Sequence, residues 1–326
     1  MAEALARTRS FPRIPILNLA LFAATLLTTL LAGALQTSVP DALPAMGGGG
    51  LGRLLAGAAA MALAGLPFAS SLLGILLCHE MGHYLFARAY RVDVSLPYFI
   101  PMPLPPAGTF GAVIRIRSRL PSRRATFDIG AAGPFAGVLV ALPLLAWGLA
   151  HSEVRPVGDA ALEGARAGAF DLVRGWLAGE PALATGFQHF GDSLLTLTVR
   201  RLVVGPLPPG TDVFLHPVAF AGWLGLFVTT LNLLPLGQLD GGHVTYALLG
   251  RRKARAFSRL VSLGLLVAGL FFCWTWLVWW AVTRFLVRLD HPSAADETPL
   301  GPARTALALL ALLLFAATFI PVPVSL

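Results

Sequence analysis

A chain of 326 residues with mean hydropathy +0.74 and 12% charged residues carries about half the charged share of an ordinary globular protein, which excludes a freely soluble domain. Its two cysteines exclude a disulfide framework. The net charge of +8 would suit nucleic acid in a soluble protein, but the arginines collect in particular loops, so positive-inside topology is expected and no nucleic-acid partner.

In chain order, Arg7, Arg9 and Arg13 precede the apolar stretch Ile14 to Leu35, which reads as a first span rather than a cleaved signal peptide. Met46 to Gly50 is a flexible linker. Leu54 to Leu66 is apolar but short and is followed by Pro67, so it is either a re-entrant or interfacial helix or the upper part of a kinked span. Phe68 to Arg88 is the next span. It opens on an uncharged run and then carries His79-Glu80-Met81-Gly82-His83. Spacing i, i+4 puts His79 and His83 on one helix face, within reach of one metal ion. Glu80 can approach a water on that ion without ligating it. Ionisable groups inside a span are costly and tend to be functional. Cys78 and Cys273 lie in apolar runs and read as buried thiols; Cys78 points about 100° away from His79 and is not a ligand.

Ser95 to Pro106 is proline-rich and cannot form a regular helix. Gly108 to Arg119 alternates, with Ile114 and Ile116 on one face and Arg115, Arg117 and Arg119 on the other, as a strand at a basic interface does. Asp128 to Ala150 is a span whose Gly130, Gly133 and Gly137 suit close helix packing. Residues 151–215 form a polar connection in which Leu194 to Val204 can make a short surface helix. His216 to Leu234 is a further span, Leu236 to Leu249 a broken apolar segment, and Arg251 to Arg255 a basic loop. Phe257 to Val287 is long for one span and short for two; Ala303 to Pro321 is the last. His151, His189, His216 and His291 read as interfacial, and Trp274, Trp276, Trp279 and Trp280 as an interface anchor.

The fold class expected is an all-α polytopic membrane protein of about six to eight spans, with a small membrane-associated β-hairpin between the first two core spans. Its division is an N-terminal span and linker (1–53), a catalytic membrane core (54–250) and C-terminal spans (251–326). Arginine-rich and mixed-charge loops alternate, which places the N-terminus and the near end of the HExxH span in the cytoplasm, provided that 54–66 does not cross independently. Composition favours a bacterial cytoplasmic membrane as host.

A catalytic zinc needs three protein ligands and an open position. Asp240 is the natural third: an unpaired aspartate in apolar surroundings is costly, and ligating a cation removes that cost. Pro235, Gly237, Gly241 and Gly242 break the helix around it. His243 could be a fourth ligand, but that would close the site, so it reads as a neighbouring polar residue at a helix end.

His79 to His83 on one span, with Asn232, Pro235, Asp240 and Gly241 as an NxxPxxxxDG on a later one, resembles the site-2 protease family of intramembrane zinc metalloproteases. Tyr98 to Pro101, Gly108 to Ala112 and Asp128 to Gly137 are similar to that family's hairpin and middle core span, and His291 to Leu300 to a segment of one subgroup. The 151–215 loop is too short for a PDZ fold and no CBS-like tail follows Pro321, so a member without those modules is expected.

The resemblance implies one Zn²⁺ held by His79, His83 and Asp240, Glu80 as general base, and Asn232 bonding the substrate backbone or the developing oxyanion. The substrate would be a transmembrane protein segment that unwinds in the bilayer and adds as a strand near Ile114 and Arg115. Oligomeric state is not legible. Two other readings stay open. One is a membrane zinc protease with a glutamate third ligand; the other is a non-enzymatic metal-binding membrane protein or transporter.

Overall fold

The computed structural model describes residues 15–37, 50–103, 106–157, 170, 174, 189–286 and 291–325. The N-terminal arginines, residues 46–49 of the linker, and residues 158–169, 171–173 and 175–188 of the 151–215 connection lie outside the described residues. The architecture is mostly helical with three small two-stranded antiparallel sheets.

Helix α1 (Ile16–Ala34) is followed by α2 (Leu51–Ala89), a single helix of 39 residues with Pro67 inside it. Leu54–Leu66 is therefore the first part of the HExxH helix and no separate element. Strands β1 (Tyr98–Pro101) and β2 (Thr109–Val113) form the expected hairpin, with Tyr98 opposite Val113 and an irregularity between Phe99 and Pro101. The strand ends at Val113, earlier than the alternation suggests; beyond it Ile116 makes an isolated bridge to Val94. Helix α3 (Arg123–Ala150) begins five residues before Asp128, because the Ser122 side chain accepts a bond from the Ala125 amide and caps it.

Within the connection after α3, β3 (Glu153–Pro156) pairs with β5 (Thr211–Phe214). Strand β4 (His189–Phe190) pairs with β6 (Val324–Ser325) near the C-terminus. These pairings have no periodic signal, being two to four residues long. Helix α4 (Leu194–Val203) is the anticipated short helix, started by a Ser193–Thr196 capping box. Helix α5 (Pro217–Asn232) starts with proline at its first turn, where a missing N–H costs nothing. Helices α6 (Asp240–Leu249), α7 (Arg251–Phe271), α8 (Trp274–Leu286) and α9 (Pro302–Thr318) complete the order. The long apolar run after residue 256 is thus divided between α7 and α8.

Among the described residues four helices, α1, α2, α3 and α7, are long and apolar enough to cross a membrane; α5 and α9 are apolar but shorter, and the expected six to eight spans are not confirmed. Their outer faces expose Leu27, Leu63, Leu139 and Leu260, a surface suited to lipid rather than water. The chain is an integral membrane protein.

The core is a three-helix contact of α2, α3 and α5, centred on Phe68, Leu72, Ile75, Leu145, Phe220 and Leu226. Helix α1 is built into this core rather than standing apart. It packs on α2, Phe22 meets the Phe99 ring edge-on at 5.0 Å, and the Asn18 amide donates to the Leu96 and Pro97 carbonyls. The Thr28 hydroxyl donates to the Gly108 carbonyl at 2.6 Å, so α1 holds both ends of the hairpin. Trp276 is fully buried, stacks on Phe319 and donates its indole N–H to the Pro321 carbonyl. That corrects its reading as an interface anchor: the one polar atom of the ring has a partner inside the protein.

Candidate metal centre

His79 and His83 lie on the buried face of α2, about three and two turns from its C-terminal end. Asp240 opens α6, immediately after the turn 233–239 that α5 requires in order to end. Pro235 supplies no amide there and Gly237 adopts φ 49°. These two elements bring the sequence-predicted ligands together. His79 Nε2 and His83 Nε2 are 3.1 Å apart, and Asp240 Oδ2 lies 3.3 Å from the first and 3.2 Å from the second.

The donor set fits a zinc ion. Four ligands at about 2.0–2.1 Å in a tetrahedron stand about 3.3 Å from one another, close to these separations. His83 Nδ1 is 2.7 Å from the Ile129 carbonyl. A carbonyl only accepts, so Nδ1 carries the proton and Nε2 turns a lone pair toward His79 and Asp240. Three acceptors converging in a buried place need a cation or protons among them. Among the described residues this is the one group of three or more His, Cys, Asp or Glu side chains arranged to hold a metal.

Helix α3 forms the floor of the site, and three glycines make it possible. A methyl group at Gly133 would land on the His83 ring, one at Gly137 would press on His79, and one at Gly130 would strike His243. The sequence pattern anticipated close helix packing. What the glycines admit is three imidazole rings, together with the approach of Gly82 to the Ala132 carbonyl.

Glu80 is buried in the same cavity, which has a volume of about 190 Å³ and is also lined by Val113, Ile114, Asn232 and Gln238. The backbone of Ile114 lies beside the Glu80 carboxylate in this cavity. Asn232, at the end of α5, places its amide group 3.3 Å from His79 Nε2. Arg115 lies outside the lining: its side chain is exposed, and its backbone amide donates to Ser95 Oγ.

Sequence reasoning missed what supports α6. Residues 291–297 run back along residues 119–123, with the Ala295 and Asp296 amides donating to the Leu120 and Pro121 carbonyls. His291, expected at an interface, is buried and stacks on Tyr246, ring centres 4.1 Å apart. The Tyr246 hydroxyl donates to Glu297 and accepts from the Ala294 amide. Arg123, at the end of the arginine-rich stretch leading into α3, is buried. Its guanidinium donates to the Ala247 carbonyl from two nitrogens and to the Glu297 carbonyl from the third, closing the C-terminal end of α6. Arginine types in a basic loop carry no mark of which one turns inward.

Comparison with known proteins agrees with this geometry. No solved structure matches the chain. Similar relatives are a "Probable zinc metalloprotease EGY1, chloroplastic" of Arabidopsis thaliana, 36% identical over 79% of this chain and 43% of its own length, and the protein of the same name in Oryza sativa subsp. japonica, 33% identical over 78% and 40%. A third, "Probable zinc metalloprotease EGY2, chloroplastic" of Arabidopsis thaliana, is 28% identical over 72% and 37%. The chain spans less than half the length of these curated relatives. All three are named as chloroplastic, which lends no support to a bacterial host membrane. Residues 67–276, more than half of the chain and including both His79–His83 and Asp240, match Peptidase family M50, and the chain belongs to that family.

Proposed function

We propose that this protein is a zinc metalloendopeptidase that hydrolyses peptide bonds within or near transmembrane segments of other membrane proteins. The observation that carries the reading is the joint placement of Glu80 and the His79–His83–Asp240 trio in one cavity between apolar helices. Membership of Peptidase family M50 and the names of the relatives support it.

His79, His83 and Asp240 would hold the zinc. When bound, zinc supplies Lewis-acid chemistry, polarising an amide carbonyl and making water acidic enough to attack at neutral pH. The protein's own groups do the rest. Glu80 takes the proton from the attacking water and delivers it to the departing amine, a transfer that a carboxylate within hydrogen-bond reach performs. Asn232 turns an amide group toward the same space and donates to the oxygen on which charge develops. The apolar walls limit water, which strengthens these interactions.

A membrane helix satisfies its own amides and must unwind before any of its bonds can be cut. Strand β2 is paired with β1 on one side only, and it leads directly into the cavity at Val113 and Ile114. An unwound segment can add there as a further strand, with the exposed Phe110 and Val113 offering apolar contact. Arg115, Arg117 and Arg119 lie outside the cavity lining and suit anionic headgroups. The catalytic core is residues 54–250, its first helix beginning slightly earlier, with residues 1–53 and 251–326 flanking it. The arginine distribution supports a cytoplasmic N-terminus.

The test is zinc analysis of purified protein beside a cleavage assay on single-span substrates. Glu80→Gln should keep stoichiometric zinc and lose at least about a hundredfold in rate, the usual scale of a general base. Full activity in that variant, or metal flux through vesicles in place of cleavage, would overturn the proposal.

A further inference from the structure

His243 and His291 form a second imidazole pair, and the metal trio includes neither. His243 Nδ1 lies 2.6 Å from His291 Nε2, and His291 Nδ1 lies 2.6 Å from the Pro292 carbonyl. The chain of bonds has one consistent arrangement of protons. The carbonyl can only accept, so His291 Nδ1 carries a hydrogen. Burial holds His291 neutral, pushing its pKa down to about 4. Its Nε2 therefore has a lone pair and accepts, and His243 Nδ1 is the donor. His243 Nε2 is left as a bare acceptor. It has no protein partner among the described residues, it is not sealed from solvent, and His243 lines the same cavity as Glu80 and Asp240.

We propose that His243 binds the substrate by accepting a hydrogen bond from one of its backbone N–H groups, and that His291, locked by the Pro292 carbonyl, is a positioning residue that holds His243 in this tautomer. The inference deepens the peptidase reading and rests on it for the class of ligand. An unwound peptide brings unpaired N–H groups into an apolar place, where each one left without an acceptor is costly. The charged and metal-facing side chains there serve otherwise: His79, His83 and Asp240 face one another, and Glu80 is the general base of the proposed reaction. His243 is a neutral acceptor there, beside the amide groups of Asn232 and Gln238, and it is the one whose ring a second buried imidazole holds in place. It is held from two sides, by Gly130 beneath it and by His291, which in turn stacks on Tyr246. The pair is also a reason for the path of residues 291–297, which must return to α6 to supply it.

The experiment has three readouts. Nitrogen NMR of wild-type protein labelled in histidine should show His243 protonated at Nδ1 and bare at Nε2. The opposite tautomer would overturn the proposal. Binding of an uncleaved transmembrane peptide, measured in the Glu80→Gln background so that no turnover is needed, should weaken about three- to tenfold in His243→Ala and in His291→Ala, the scale of one neutral hydrogen bond. His291→Gln, whose amide oxygen can accept from His243 Nδ1, should recover most of it. A peptide in which one backbone N–H is replaced by an ester oxygen should bind about as weakly to the Glu80→Gln protein as the normal peptide binds to its His243→Ala form, and the two losses should not add. Unchanged binding in both alanine variants, or additive losses at every ester position, would overturn the inference. Loss of zinc in His243→Ala would also overturn it, by making His243 a ligand. If wild-type protein cleaves nothing while His243→Ala still weakens peptide binding, the peptidase reading fails and the binding role survives.

Discussion

His83 reaches across from α2 to α3 and donates from Nδ1 to the Ile129 carbonyl at 2.7 Å. This single bond decides which nitrogen of His83 faces Asp240 and keeps the ring from turning. The backbone of one helix thus orients a side chain of another.

Asp240→Asn keeps the size of the side chain and removes the negative charge that faces both imidazoles. Zinc affinity should fall by at least about tenfold to a hundredfold, the loss seen even for groups one layer further out. Competition with a chelator, read by metal analysis of the protein, checks it. Retained affinity would point to a different third ligand.

Gly133→Ala tests the glycine floor. The added methyl meets the His83 ring, so the ring must leave its place or the two helices must part. Overpacking of this kind costs about 1–3 kcal/mol. Zinc occupancy should drop while the helical content by circular dichroism stays. Gly74→Ala, where a methyl meets nothing within 4 Å, is the matched control and should change neither.

Ile114→Pro removes a backbone amide beside the Glu80 carboxylate and blocks ladder formation just beyond the end of β2. Cleavage of membrane substrates should fall about tenfold, the scale of one lost hydrogen bond to the substrate strand. Zinc content should remain that of the wild type. Unchanged cleavage would exclude the hairpin from substrate handling.

Arg123→Met leaves the Ala247 carbonyl without its guanidinium partner inside the protein. A buried acceptor stranded in this way costs about 1–3 kcal/mol, and the thermal unfolding midpoint in detergent should drop accordingly. Arg124→Met, on the exposed side of the same turn, should leave the midpoint in place.

The site was largely legible because its residues violate their surroundings. Two imidazoles and a carboxylate in apolar helix stand out, and a second carboxylate among Pro and Gly stands out equally. The hairpin was readable from proline content and alternation, although the alternation overshot: Ile116 pairs singly with Val94, and Arg115 turns outward. Residues 291–297 were opaque. An irregular return strand has no period, and nothing in the types His291, Tyr246 and Glu297 says that they meet. Trp276 misled for a related reason, since a tryptophan in an apolar run is equally suited to a headgroup boundary and to a buried N–H bond, and only the position of Pro321 distinguishes them. The short sheets β3–β5 and β4–β6 depend on residues distant in sequence and carry no local mark.

Helix α2 is 39 residues long, which at 1.5 Å per residue is about 58 Å, nearly twice the roughly 30 Å of a bilayer's hydrocarbon. Its first two turns show Leu51, Leu54 and Leu55 outward, so this excess is greasy rather than wettable. Such a rod cannot stand upright in an ordinary membrane. It must lean steeply, bend at Pro67 or distort the lipid around it. Hydrophobic mismatch is therefore built into the very helix that carries His79 and His83, and the thickness of the host membrane becomes a variable that acts directly on the geometry of the centre.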